Sequence, residues 1–490
     1  MSIIVSGCGH SLSKEELSNE NIEQNISAGN FAEAEKLIKL KVATEDLTPA
    51  QVWDLNFQIE KMDRIRQDFN RDDSTIFAQL QKYYPQVTRE DMAKWEETQI
   101  LEHMTIDGQK RYFRNSARNV FRIDEEAEKL YNQTHPYTPD PLDVFVDESV
   151  TKVLKKARKS GKALVEPEKM KIRYSISVKP DEVPAGEVVR VWMPYLQNED
   201  MYKDIKLLAT SQPDYIISPD GYAHKSIYME KVAEAGKRTE FWYELSFTAY
   251  HKFNDFEPQD VLPYDKESEL YKEFTSERAP HIVFSDRIKN ITDSLTKGET
   301  NPYLKSVKIF DWICDHFPWA SAREYSTIDN IPEYVIDNDH GDCGQVGLLF
   351  ITMARCAGIP AKWESGWMLH PMEINLHDWV RVYYEGIGWV GVDPSFGRVI
   401  LKEELQENAP RGRVINGAEK SKLDSDYFHY YTHGMDAWRF IVNTDYSQPF
   451  YPAKIHPRSE TVDFQRGEVE WRGENLYFGR WNYDMELKVL

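Results

Sequence analysis

The chain has 490 residues, of which 41 % are hydrophobic and 29 % charged, a balance that excludes wholesale disorder and predicts a folded, multidomain protein. A formal net charge of −21 argues against a nucleic-acid backbone or an anionic membrane surface as the main partner, because both require a positive face. No apolar run reaches transmembrane length, and four scattered cysteines without a C-x-x-C pair are neither a disulfide framework nor a zinc ribbon.

In chain order, Ile4-Val5-Ser6-Gly7-Cys8 comes first. It resembles a bacterial lipobox, in which the cysteine is lipidated after cleavage. That resemblance implies lipidation at Cys8, a membrane link only through this anchor, and a periplasmic or cell-surface location. The plain alternative is a frayed terminus with an incidental cysteine. Residues 15–165 then read as helical. Ile26, Phe31, Ala34, Leu37 and Ile38 follow the helical period, and Thr48-Pro49 has the form of an N-cap followed by the first helical residue. Further helical patterns run over Asp73–Tyr84, Thr88–Met104 and Asn115–Tyr131. His135–Asp143 reads as a Pro-rich connector, followed by a charged helix over Asp147–Lys162.

From Lys171 the period changes to two. KIRYSISV, EVVRVWMPY and TEFWYELSFTAY alternate polar with β-branched or aromatic residues, which predicts a small β-sandwich over Lys171–Tyr250. Helices are expected at Ala279–Thr296 and Pro302–Phe317, then a long loop to Asp342 and a helix from Cys343 to Ala357. Strands are expected at Ala361–Leu369, His377–Glu385 and Gly388–Val392. Beyond Pro394 the chain is loop-rich and aromatic, ending in the alternating strand NYDMELKVL.

The stretch GDCGQVGLLF places Cys343 at a helix start. Unpaired backbone N–H groups there favour negative charge, so the placement predicts a lowered thiol pKa and donors for an oxyanion. Gly358 and Pro360 end that helix. Cys356 and Cys314 lie within apolar helical patterns and read as core residues. A catalytic thiolate also needs a base and a group that orients the base. His377 begins one strand, and Asp393 ends the next across the turn EGIG. A regular hairpin pairs Glu385 with Gly388 and sets Phe396, not Asp393, opposite His377, so a bulge or a looped-out residue is expected to bring Asp393 beside the imidazole. Taken singly, each of these residues has a structural reading. Together they form the elements of a thiol enzyme.

The order GDCG, LLF, CAGIPAKWESGW, then HDWVRVYYEGIGWVGVDPS, resembles the core of the transglutaminase-like superfamily, which includes bacterial candidate cysteine proteases and is related in fold to papain-like proteases. The resemblance covers roughly 302–397. It implies a transglutaminase-like, papain-like α+β catalytic core over 261–400 preceded by a β-sandwich domain over 166–260; it does not explain the helical region over 1–165 or the aromatic, loop- and strand-rich C-terminal extension over 401–490, expected to pack on the core, and the whole reads as an α+β multidomain fold. It further implies Cys343 as nucleophile, His377 as general base and then acid, and Asp393 as the residue that orients His377. Trp319 is a candidate oxyanion donor, with Tyr325 behind it. Trp363, Trp367 and Trp379 are candidates to line the acyl cleft, although aromatics in such strands are usually core.

The resemblance implies a peptide or protein as substrate and no cofactor; the charge balance argues against nucleic acid, and no metal site is expected. Asp337–Asp342 starts like a calcium loop but lacks the spaced glutamate. His429 and His433, one helical turn apart, lack a third ligand. Three functions are expected in this order: a thiol amidohydrolase, most simply a peptidase; a glutamine transamidase; and a catalytically silent binding module. Hydrolysis comes first because an amine acceptor has to compete with water and no dry acceptor tunnel is evident in the sequence.

Overall fold

The computed structural model describes residues 17–136, 138–399 and 426–490, and it is a mixed helix-and-sheet protein. Its described residues divide into two compact units, one running to His135 together with Ser326–Ile328, the other holding the rest.

The first unit is built from α1 (Asn19–Ser27), α2 (Phe31–Thr44), α3 (Pro49–Asp68), α4 (Asp73–Tyr83), α5 (Arg89–Glu97), the hairpin β1 (His103–Ile106) and β2 (Gln109–Tyr112), α6 (Ser116–Ile123) and α7 (Glu125–Thr134). Thr48 caps α3 in a capping box with Gln51, and Pro49 stands at its first turn, as the sequence predicts. The hairpin was not legible in the helical periodicity. The predicted Asn115–Tyr131 helix is split at Asp124, whose side chain accepts from Ala127 N at 2.7 Å and starts a new helix. Phe31, Ile38, Met62 and Phe113 close one core, and Ile76, Leu80, Trp95 and Phe121 a second.

The second unit opens with α8 (Pro141–Ser160). It begins six residues before the expected start because Asp140 is its N-cap and Pro141 its first residue, inside the stretch read as a connector. Strands β3 (Leu164–Val178), β4 (Val188–Pro194), β5 (Tyr202–Thr210), β6 (Ile216–Ile217), β7 (Ser226–Val232) and β8 (Thr239–Phe253) supply the sandwich. Then come α9 (Glu269–Phe274), α10 (Asp286–Thr296), α11 (Pro302–His316), α12 (Ile331–Asn338), α13 (Cys343–Cys356), β9 (Ala361–His370), β10 (Glu373–Tyr384) and β11 (Gly388–Val392). Helix α12 occupies part of the stretch expected as a loop. The chain continues through α14 (Tyr430–His433), β12 (Gly434–Met435), β13 (Arg439–Asn443), β14 (Glu468–Trp471), β15 (Glu474–Asn475) and β16 (Trp481–Val489).

Two sheets face each other, β12-β8-β3-β16 with β5 also on β8, and β15-β14-β4-β7-β6. Alternate residues of their strands, among them Tyr174, Ile176, Val191, Trp192, Phe241, Tyr243 and Leu245, are buried in one shared core. The third sheet, β11-β10-β9-β13, carries the site. The C-terminal stretch is more than a layer packed on the core. Strand β13 completes the third sheet, β14 pairs with β4, and β12 and β16 extend the sheet of β8 and β3.

Candidate active site

Helix α13 starts at Cys343 because Asp342 caps it. The Asp342 carboxylate accepts from Gln345 N at 3.0 Å, and the Gln345 side chain accepts from Asp342 N at 3.1 Å, a reciprocal capping box. Thus Asp342, at the end of the stretch that resembled a calcium loop, is spent on the helix start. Its other partner is Tyr325, whose hydroxyl donates to Asp342 Oδ1 at 2.6 Å. Burial pushes the Asp342 carboxyl up to about 6 despite these hydrogen bonds.

His377 lies in β10, and Asp393 follows β11. The His377 Nε2–H donates to Asp393 Oδ2 at 2.7 Å, and both side chains are buried. This bond selects the tautomer that leaves Nδ1 free to accept a proton. No bulge brings the pair together. The turn has three residues, Glu385–Ile387, and Tyr384 pairs with Gly388, so the register continues without a shift to Val380 opposite Val392. One more step sets Asp393 opposite Trp379, the diagonal neighbour of His377 on the same face. The regular register would have set Asp393 against Val380, on the other face, because a one-residue slip inverts every side chain.

The Asp393 carboxylate accepts five hydrogen bonds. Oδ1 takes Ser395 N, Ser395 Oγ and Phe396 N at 3.0–3.1 Å, and Oδ2 takes His377 and Arg439 Nη1, each at 2.7 Å. Burial alone would raise its pKa, but His377, Arg439 and these donors hold it down at about 2. Burial pushes the His377 pKa down; Asp393 opposes that and Arg439 reinforces it.

The thiol departs from the expected arrangement. Cys343 Sγ is 3.4 Å from Asp378 Oδ2 and donates to it; among the described residues no hydrogen bond joins the thiol to His377. Strand alternation separates the two neighbours. Val380, on the Asp378 side, faces α13 at Gly347, whereas the His377 ring stacks with Trp379 at 5.7 Å. The lowered thiol pKa expected from the helix start is not found. Burial, followed by the carboxyls of Asp378 and Asp342, pushes the Cys343 thiol well up. Burial and Asp342 likewise push Asp378 up. Gln465 Nε2 ties the two halves together, donating to His377 O at 2.8 Å and Asp378 Oδ1 at 2.6 Å.

Gly344 makes this packing possible. A Cβ there would lie 2.3 Å from Tyr325 Oη and 2.8 Å from Asp378 Oδ2. Gly344→Ala is therefore expected to destabilise the protein by about 1–2 kcal/mol, although alanine is the better helix former. Denaturant melts check this; a stabilised variant would show that Tyr325 and Asp378 yield without cost.

The structure distributes the other candidates differently. Trp319 lies beside the nucleophile loop, bridged to Gly341 through Ala320 N–Gly341 O and Gly341 N–Pro318 O, and the residue is 47 % exposed. Trp363, Trp367 and Trp379 are buried rather than open to a cleft. Their indole N–H groups donate to Ser365 Oγ, Gln465 O and Glu364 Oε2, and Trp367 stacks between Tyr174 and Phe440. Cys314 donates to Pro394 O at 3.6 Å, and burial raises its pKa. Cys356 is partly exposed, with its pKa raised by burial. His429 faces Asp311 at 3.0 Å, whereas His433 bonds Tyr303 Oη at 2.6 Å, so the two imidazoles serve different partners. Cys8 lies outside the described residues.

Sequence reasoning missed Asp378, Gln465, Arg439 and Asp436. Asp378 had a signal, a carboxyl adjoining the candidate base in HDW. The other three reach the site from the C-terminal stretch and carry no motif.

The family profile of the transglutaminase-like superfamily core matches residues 289–394, which includes all three residues of the Cys343, His377 and Asp393 set. Among curated relatives, the uncharacterized protein YebA of Bacillus subtilis is 25 % identical over 165 residues, 28 % of this chain and 22 % of that protein. An uncharacterized Haemophilus influenzae protein is 23 % identical over 250 residues, 44 % of this chain and 66 % of that one. The chain thus spans less than two thirds of either relative's length. Among solved structures, a candidate cysteine protease from Cytophaga hutchinsonii is similar at TM-score 0.42 and 15 % identity, covering 67 % of this chain and 92 % of that one. The periplasmic domain of TgpA from Pseudomonas aeruginosa is similar at TM-score 0.25 and 14 % identity, covering 49 % and 90 %. Residues 289–394 of this chain are therefore similar to the core of the transglutaminase-like superfamily.

Proposed function

We propose that this protein is a thiol-dependent amidohydrolase, a cysteine peptidase that cleaves peptide or protein amides through an acyl-enzyme. The observation that carries the reading is a cysteine at the first turn of α13 packed against β10, with a 2.7 Å His377–Asp393 pair beginning one residue away on that strand. In this reading Cys343 exchanges its hydrogen bond to Asp378 for His377, and its proton passes to Nδ1. The thiolate attacks the amide carbonyl, and the backbone N–H groups at the start of α13 stabilise the oxyanion. The imidazolium then protonates the leaving amine. Water, deprotonated by His377, releases the acid and restores the thiol. In this reading Trp319, whose backbone bridges to Gly341, supplies a second oxyanion donor. A location outside the cytoplasm goes with this reading and rests on the lipobox-like residues around Cys8.

The rival with a specific observation behind it is the silent binding module, because the thiol is bonded to Asp378. A peptide-library digest, with and without a primary amine and with Cys343→Ala as control, separates the readings. Hydrolysis in both conditions, lost in the variant, is the expected result. Amine-dependent product would make the protein a transamidase. No turnover in either condition, or turnover that survives Cys343→Ala, would overturn the proposal.

A further inference from the structure

Arg439 is fully buried, and its guanidinium has two acidic partners. Nη1 donates to Asp393 Oδ2 at 2.7 Å and Nε to Asp436 Oδ2 at 3.0 Å. The plane packs over the Phe396 ring at 4.1 Å, with Trp379 and Tyr431 at 5.3 and 5.6 Å. A buried guanidinium without a paired carboxylate is costly, so this geometry is tightly determined. The oxygen that Arg439 takes is the one on which His377 depends. Strand β13 carries Arg439, so it lies outside the 289–394 core that the family profile matches.

We propose that Arg439 is a positioning residue for the His377–Asp393 pair: by claiming Asp393 Oδ2 alongside the imidazole, it orients the carboxylate and keeps His377 neutral at rest. The inference rests on the proposed role of His377 but acts on the imidazole itself. An orienting carboxylate that bonds only to histidine favours the imidazolium. Here its charge is shared between the imidazole and a permanent cation, and its other oxygen is occupied by Ser395 and Phe396. The remaining charged and titratable groups around the pair fit this balance. Asp436 draws on the opposite side of Arg439 and also faces His370 at 3.4 Å, His251 lies within the field of both, and the Tyr431 hydroxyl donates to Asp436 at 3.1 Å. Asp378 and Cys343 face away on the other side of β10. With the imidazole bonded to Asp393 on one side of β10 and the thiol bonded to Asp378 on the other, the resting site is not a preformed thiolate–imidazolium pair. Cys343 surrenders its proton only when the site is engaged.

Selective 13C labelling of histidine, with His377→Gln to assign the signal, follows the His377 titration in the full chain. Arg439→Met is expected to raise its midpoint by about one pH unit or more, and Arg439→Lys to leave it near wild type. The double variant Arg439→Met/Asp436→Leu removes the buried pair together, which such sites often tolerate, and is expected to raise the midpoint too. An unchanged midpoint in folded Arg439→Met or in the double variant would overturn the proposal. So would a rise in Arg439→Lys equal to that in Arg439→Met. Alkylation of Cys343 by iodoacetamide, read on its peptide by mass, separates this from the functional reading. A His377 midpoint that moves while the pH profile of Cys343 alkylation stays fixed supports Arg439 in its role and sinks the pairing of Cys343 with His377.

Discussion

Asp393→Asn is expected to cut turnover roughly 10⁴-fold, the scale seen when the carboxylate of a catalytic triad becomes an amide. The cause lies in the donor count. The carboxylate satisfies five donors with two oxygens, whereas an amide keeps one oxygen and turns an NH₂ group toward either the Ser395–Phe396 turn or the His377 and Arg439 donors. With the NH₂ toward His377, the imidazole has to flip its tautomer, and Nδ1 no longer accepts the thiol proton. The same change strips Arg439 of a buried partner, so a stability loss of about 3–5 kcal/mol accompanies it at neutral pH.

The sign of its pH dependence follows from the depressed pKa. Asp393 titrates at about 2 in the folded chain against an ordinary 3.8, so its ionised form stabilises the fold above the unfolded value. That contribution, on the order of 2 kcal/mol, fades as pH falls through about 2. Denaturant melts of both proteins from pH 7 downward should therefore show their difference shrinking at the acid end. A gap that stays constant to the lowest pH would show that the carboxylate's ionisation is not what stabilises this region. Undiminished peptide hydrolysis in Asp393→Asn would remove Asp393 from the catalytic set.

The second large effect is expected at Gly366. This residue sits in the middle of the site sheet, paired with His377 on β10 and with Ile441 on β13. A Cβ there would lie 1.9 Å from the Phe440 carbonyl oxygen and 2.9 Å from Val442 N. Both are backbone atoms held in a ladder, so neither can swing aside as a side chain could. Gly366→Ala is expected to cost about 3 kcal/mol or more and to push β13 away from β9. Because β13 delivers Arg439, the loss should extend beyond stability. Any folded fraction of the variant should show a raised His377 titration midpoint, as is expected of Arg439→Met. A melt indistinguishable from wild type would mean that the β9–β13 approach is looser than the structure shows.

Much of the site was legible locally. Cys343 opens its helix because Asp342 and Gln345 form a capping box, which is chemistry within three residues of sequence. Residues Gly388–Val392 read as a strand from their bounding turn and from alternation, and the structure agrees to the residue. The errors came where the deciding partner was distant or the choice finely balanced. The start of α8 at Pro141 turned on reading Asp140-Pro141 as a cap rather than a connector. The burial of Trp363, Trp367 and Trp379 depended on Ser365, Gln465 and the sandwich face around Tyr174, none of which a strand pattern can locate.

The sequence by itself determined which side chains could do thiol chemistry and which elements carry them, because caps, periodicity and turn residues act over a few positions. Tertiary structure decided how those side chains are joined. A three-residue turn rather than a two-residue one set Asp393 on the face of His377, since one residue of register inverts a strand's faces. Packing of α13 on the opposite face gave the Cys343 thiol to Asp378. A strand some fifty residues downstream brought Arg439 onto the shared carboxylate oxygen. Such contacts are properties of the sheet, where neighbours in space are chosen by burial and backbone pairing and leave no spacing in the chain to read.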